Sequence, residues 1–144
     1  MKKYLFFALL ATTFMFNGCG DRYVTEEHYE GVPATKTISY KVLKPDWKVG
    51  FNDESGKYLY YTFDEPVLTG QIIKDGLVVA YMLINGNLTP LPFEDSWIDQ
   101  NGYKWTEQVT CEIKAGEITF IFKANDHSLN PYHPDYTFVL KMMW

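Results

Sequence analysis

The sequence predicts an all-β fold, an antiparallel β-sandwich of about seven strands with one short helix. Several short segments alternate between apolar and polar side chains, which is typical of strands buried on one face. Gly, Pro and Asn clusters separate these segments at the spacing common in sandwiches. Aromatic residues make up 17% of the 144 residues, so one domain with one packed core is expected. The spacing leaves jelly-roll and immunoglobulin-like topologies open.

Alternation is clear in two of the first three predicted segments, 37–43 and 58–64. In chain order the three segments are 37–43, a short extended segment 47–51, and 58–64. The residues expected on their buried faces are Ile38, Tyr40, Val42, Leu59, Tyr61 and Phe63. The cluster 52–56 between the second and third segments is rich in turn residues, so it predicts a reversal of the chain.

The segment 68–76 does not alternate, and it predicts the only helix of the domain. Thr69 is placed to cap its first turn, and Gly76 suits the left-handed position after its last turn. The run 77–84 that follows is continuously apolar, which is typical of a central strand buried on both faces. We therefore expect the helix or a loop to cover the second face of that strand.

Turn residues organise the second half of the chain. Asn85-Gly86 is a strong hairpin signal, and the two prolines of 89–93 limit that segment to an edge strand at best. Asn101-Gly102 and Ala115-Gly116 mark two further turns. The remaining strands are predicted at 105–113, 117–123 and 136–143, with a polar loop over 125–135.

Residues 1–18 have the layout of a signal peptide. Two lysines precede an apolar run from Tyr4 to Phe16, which is shorter than the about 20 residues of a membrane-spanning helix. Cys19 directly follows Gly18, as the acylated cysteine does in a bacterial lipobox, although Phe16 and Asn17 differ from its usual residues. We expect cleavage before Cys19 and a lipid on Cys19. A retained membrane helix and an ordinary signal peptide with an incidental cysteine are the alternatives.

This processing would divide the chain into a leader 1–18, a lipidated tether 19–36 and a β-sandwich domain 37–144. The formal net charge is −5, and loss of the two leader lysines from 13 basic residues leaves 11 against 18 acidic ones. No basic stripe exists, which excludes a nucleic-acid partner. Cys111 would have no disulfide partner once Cys19 is acylated, and its alternation with Val109 places it in the core.

Several segments resemble the small uncharacterised lipoproteins of Bacteroidales-type bacteria. The resemblance covers nearly the whole mature chain through GCGDRYVTEEHYEG, Asp46-Trp47, YLYYTFDEPVLT, Gly76–Val79, GYKWTE and FVLKMMW. It is a likeness of layout and of aromatic positions. It implies a β-sandwich lipoprotein of the cell envelope, and it implies no activity or site residue. We expect the lipid to anchor the protein in the outer membrane, facing the periplasm or the exterior, and we expect no cofactor.

No catalytic motif stands out, so we expect a non-enzymatic interaction or structural module with an unidentified protein or glycan partner. None of the four serines lies in a G-x-S-x-G turn, and no glycine-rich phosphate loop is present. A metal-dependent enzyme is one alternative, because the 125–135 loop carries imidazole and carboxylate groups, although their spacing fits no common ligand pattern. Its candidate ligands are Asp126, His127, His133 and Asp135.

A carbohydrate-binding accessory lipoprotein is the second alternative. β-Sandwich modules that bind sugars stack flat rings on exposed aromatic side chains, and such rings mark a binding surface when they are contiguous. The candidate stacking residues are Tyr58, Tyr60, Trp47, Trp97 and Tyr103. They alternate away from the buried face or lie near turns.

Overall fold

A computed structural model describes residues 22–27, 33–53, 56–131 and 135–144. The strands in this part of the chain are β1 (Arg22–Glu27), β2 (Thr35–Leu43), β3 (Lys48–Asn52), β4 (Gly56–Glu65), β5 (Leu77–Ile84), β6 (Asn87–Pro90), β7 (Phe93–Ile98), β8 (Lys104–Lys114), β9 (Gly116–Ala124) and β10 (Asp135–Met143). A single α-helix, α1 (Gly70–Asp75), and a 3₁₀ turn at Lys44–Asp46 complete the described elements. None of these helices is long and apolar enough to cross a membrane.

The strands form two antiparallel five-stranded sheets, which confirms the predicted all-β sandwich. Sheet A has the order β1-β2-β10-β5-β6, and sheet B has the order β3-β4-β9-β8-β7. Immunoglobulin sheets have the orders ABED and CFG. The orders here differ because β5 and β6 form a hairpin in sheet A, after which the chain crosses to the opposite edge strand, β7, of sheet B.

Aromatic rings from both sheets fill the space between them. Phe120 of β9 and Phe138 of β10 are fully buried and stack with centroids 3.8 Å apart. Tyr40 of β2 packs against Phe63 of β4 and donates its phenolic hydrogen bond to the buried carboxylate of Glu65 at 2.8 Å. The predicted inward positions of 37–43 and 58–64 therefore line this core, because side chains of one parity share one face of a strand.

Part of the segment predicted as a tether is a strand of sheet A. Residues 22–27 form β1, which pairs with β2 from Arg22 opposite Tyr40 to Glu27 opposite Thr35. Strand β2 itself begins at Thr35, inside the segment assigned to the tether. The polar, acidic composition of this segment concealed an edge strand, whose outer edge and exposed residues face water.

Helix α1 is confirmed, with Thr69 as its N-cap accepting a hydrogen bond from the Ile72 amide at 3.2 Å. The left-handed conformation predicted for Gly76 is wrong, since its φ is −94° and its ψ is 178°. A Cβ at this position would lie 2.7 Å from the carbonyl oxygen of Ile72 and 2.8 Å from that of Met143. Glycine is needed here because two backbone segments approach closely.

Strand β5 lies between β10 and β6 as predicted, but its second face is not buried under the helix or a loop. Ala80 and Met82 point into the core, whereas Leu77 and Leu83 on the other face are exposed. Helix α1 leads directly into β5.

The sequence pattern did not predict strand β7. Its acidic and polar residues interrupt the apolar pattern, yet Phe93 and Trp97 lie opposite Val109 and Trp105 of β8. The Asn101-Gly102 turn joins β7 to β8 in a hairpin, and Asn85-Gly86 joins β5 to β6 with positive φ angles at both residues, as predicted.

Candidate functional site

Two adjoining depressions lie on sheet B. The first has a volume of about 220 Å³ and is lined by Glu94, Thr106, Gln108, Lys123, Ala124, Asn125 and His127. The second has a volume of about 190 Å³ and is lined by Ser96, Trp97, Lys104, Trp105, Thr106 and Asn125. Because Thr106 and Asn125 line both, we treat the two as one surface and call it the sheet B groove.

Strand register explains the polar lining of the first depression. Glu94, Gln108 and Lys123 lie side by side on neighbouring strands, since Gln108 pairs with Glu94 on one side and Lys123 on the other. All three point away from the core, where polar side chains are expected. They place a carboxylate, an amide and an ammonium group in one row.

A tyrosine borders this row on its far side. The ammonium nitrogen of Lys123 lies 5.7 Å from the ring centroid of Tyr58, a distance that allows cation–π attraction. The Tyr58 ring lies over Gly50 of β3, where an added Cβ would lie 2.4 Å from the ring. Tyr60 is 6.0 Å from Tyr58 with the ring planes tilted by 50°, so the two rings line a curved wall.

Trp97 and Trp105 line the second depression, but they belong to the core-facing side of sheet B because they share the parity of Phe93 and Val109. Tyr103 completes a cluster of three aromatic residues. Trp97 and Trp105 are directly opposite each other on β7 and β8, and Tyr103 stacks on Trp105 with an interplanar angle of 22°. Tyr103 is 54% exposed. The Trp105 indole donates a hydrogen bond to the buried Glu107 at 3.1 Å, which holds that ring in position.

The β7–β8 turn holds Tyr103 through its backbone. The carboxylate of Asp99 accepts hydrogen bonds from the amides of Asn101 and Tyr103, both at 2.8 Å. The Asp99 amide also donates to the Tyr103 carbonyl at 2.9 Å. An exposed ring on a turn fixed in this way loses little conformational entropy when it binds a ligand.

The Asn125 side chain fixes the boundary between the two depressions. The Oδ1 of Asn125 accepts a hydrogen bond from the Thr106 backbone amide at 2.9 Å. The backbone amide of Asn125 donates a hydrogen bond to the Thr106 carbonyl at 3.0 Å. The floor of the sheet B groove between the two depressions is therefore formed by backbone that paired hydrogen bonds hold in place.

Four of the five predicted stacking residues border this groove or lie beside it. Trp47 is the exception, and its prediction as a stacking residue is wrong. It is only 8% exposed and packs edge-on against Tyr136 and Phe138 in the core. Trp105 shares the face of Glu107 and Val109, as its alternation predicted, whereas its partner strand β7 was not predicted.

The candidate metal ligands are not brought together among the residues that the structure describes, where no group of three His, Cys, Asp or Glu side chains could hold an ion. Asp126 accepts a hydrogen bond from the Ser128 amide at 2.9 Å, as loop aspartates commonly do. Asp135 lies 3.9 Å from the Lys41 ammonium, and the His127 ring packs over Gly56. His133 lies outside the described residues, as do the leader 1–18 and Cys19.

Cys111 is a free cysteine that packs against the core. Burial raises the pKa of its thiol from 9.0 to about 11. A nucleophilic cysteine needs a lowered pKa, because the thiolate is the reactive form. The setting of Cys111 is that of an unreactive structural residue.

The described fold is thus a two-sheet β-sandwich with an aromatic-bordered polar groove on one sheet. Comparisons of the chain with protein-family models, with curated proteins and with solved structures found no match.

Proposed function

We propose that this chain is a lipid-anchored protein of the cell envelope that serves as a non-enzymatic binding module. The observation that carries the proposal is the position of Cys19, directly after Gly18 at the end of a short apolar run preceded by two lysines. Several acyl chains on one cysteine hold a protein stably at a membrane, since each buried methylene contributes about 0.8 kcal/mol.

Metabolic labelling tests the anchor. The full chain is expressed with its leader in a Gram-negative host that is fed radiolabelled palmitate. We expect label in the wild type and in Cys111→Ala, which removes the other cysteine, and none in Cys19→Ala. A wild-type chain that accumulates in the envelope without label would refute the proposal.

A carbohydrate ligand is the second candidate, and the sheet B groove is the observation that favours it. Its lining offers hydrogen-bonding groups from Glu94, Gln108 and Asn125. The Tyr58 ring lies beside Lys123, and Trp97 and Trp105 line the second depression. Sugars have apolar ring faces and polar edges, so they suit a surface that combines aromatic rings with a few fixed polar groups.

Titration with solubilised envelope polysaccharides, followed by tryptophan fluorescence, tests this candidate. Removing one stacking ring should weaken binding about three- to tenfold, since aromatic contacts contribute roughly 0.5–1.5 kcal/mol. We expect this loss in Tyr103→Ala and in Tyr58→Ala. The matched control is Tyr23→Ala, which removes an exposed ring from sheet A. Equal loss in all three variants would contradict a site in the groove.

A further inference from the structure

The outer faces of the two sheets differ in chemistry. The outer face of sheet B carries mostly polar and charged side chains around the groove. The outer face of sheet A carries an apolar surface made of Leu77, Val79, Tyr81, Leu83, Leu88, Val139 and Met143. We call this set the sheet A patch. The solvent face of an antiparallel sheet is ordinarily polar, so a contiguous apolar patch of this kind marks an interaction surface.

The strand register brings these apolar side chains next to one another, with Lys141 among them opposite Val79. Met143 lies opposite Leu77, Val139 lies opposite Tyr81, and Leu83 lies opposite Leu88. Val139 is only 8% exposed although it lies outside the core between the sheets. The centre of the patch is therefore already packed, while its borders remain open, with Leu77 at 55% exposure. A shallow groove of about 340 Å³ follows the patch between β2 and β5.

The position of the anchor indicates what covers the patch. Only Gly20 and Asp21 separate Cys19 from Arg22, the first residue of β1. Three residues of extended chain span about 10 Å at most. Strand β1 is the edge strand of sheet A, and β5 is three strands away, or about 14 Å across the sheet. A lipid on Cys19 therefore holds sheet A next to the bilayer surface.

We propose that the sheet A patch rests on the lipid surface in which the protein is anchored, which leaves the sheet B groove facing away from that membrane. This inference rests on the proposed acylation of Cys19. The side chains bordering the patch suit such a contact. Lys141 extends over the Tyr81 ring, with its ammonium nitrogen 5.8 Å from the centroid, and Tyr23 is exposed on the same face of β1. Lysine and tyrosine side chains can bury their apolar atoms against a lipid interface.

The two outer faces contain a matched pair of probes. Lys141 on sheet A and Lys123 on sheet B each lie over a tyrosine ring, at 5.8 Å and 5.7 Å. Lys141 is exposed and Lys123 is half-buried, so in a freely accessible domain Lys141 reacts at least as fast as Lys123 with a water-soluble amine reagent. Docking on lipid should reverse this order, because only Lys141 would be shielded.

The experiment uses the full lipidated chain in vesicles of phosphatidylethanolamine and phosphatidylglycerol, with acetylation of each lysine followed by mass spectrometry. We expect the Lys141 to Lys123 labelling ratio to be several-fold lower in the wild type than in a Leu77→Glu/Leu83→Glu variant, whose new charges oppose docking. Both substituted residues are exposed, so the fold tolerates them. The control Ile98→Glu changes a residue of 62% exposure on sheet B and should match the wild type.

Three results would overturn the proposal. A lipidated wild type whose labelling ratio equals that of the double variant would refute the docking alone. Protection of Lys141 that increases with protein density in the vesicles would show that a second copy of the chain covers the patch. An intact mass without acyl chains on Cys19 would refute the anchor and the docking together.

Discussion

Substitution of Gly76 tests whether close backbone packing requires glycine at the end of helix α1. In Gly76→Ala the new Cβ would lie 2.7 Å from the Ile72 carbonyl oxygen and 2.8 Å from that of Met143. Both neighbours are backbone atoms, so the helix end and β10 must move apart. Overpacking of this kind costs about 1–3 kcal/mol. For a domain of this size we expect the melting temperature to fall by roughly 3–10 °C.

Gly70 is the matched control because it lies at the other end of the same helix. A Cβ at Gly70 has no neighbour within 4 Å. Gly70→Ala should therefore stabilise the protein by about 0.4–1 kcal/mol, chiefly by restricting the unfolded chain. The two variants change the same residue type in the same element and should shift stability in opposite directions.

Urea unfolding of the purified protein, followed by tryptophan fluorescence, measures both shifts. A third variant separates the two explanations for Gly76. Asparagine tolerates the left-handed conformation, so Gly76→Asn would be nearly neutral if that conformation were required. Because asparagine has a Cβ, the close approach predicts a loss at least as large as that of Gly76→Ala. A neutral Gly76→Asn together with a stable Gly76→Ala would refute the steric argument.

Two further predictions concern the core. Burial raises the pKa of the Cys111 thiol to about 11, whereas in the unfolded chain the thiol ionises near 9.0. The contribution of this thiol to stability is therefore fully present below pH 9 and is lost as the pH rises toward 11. In urea unfolding, the wild type should lose stability over that range relative to Cys111→Ser. The same dependence of stability on pH in both proteins would contradict this prediction. Tyr40→Phe removes the hydrogen bond to the buried Glu65 and should cost about 1–3 kcal/mol, whereas Tyr60→Phe on the outer face should be nearly neutral by thermal unfolding.

Alternation predicted the long strands because their environment is one-sided. In β2 and β9 every second residue lies in the core, and the pattern of side chains records this directly. Strands β1 and β7 were overlooked because edge strands bury fewer side chains, so their sequences carry less of the pattern. The polar lining of the sheet B groove could not be predicted, because it depends on the register of β7, β8 and β9.

The sequence by itself determined the class of fold, the cap of α1, the hairpin at Asn85-Gly86 and most of the core positions on the strands, because each depends on local conformation or on periodic burial. Only the tertiary structure decided that Gly76 is required for a backbone contact, that Trp47 is a core residue and that one face of β5 is exposed. These properties depend on which distant segments pack against a residue. That information lies in the pairing of strands far apart along the chain.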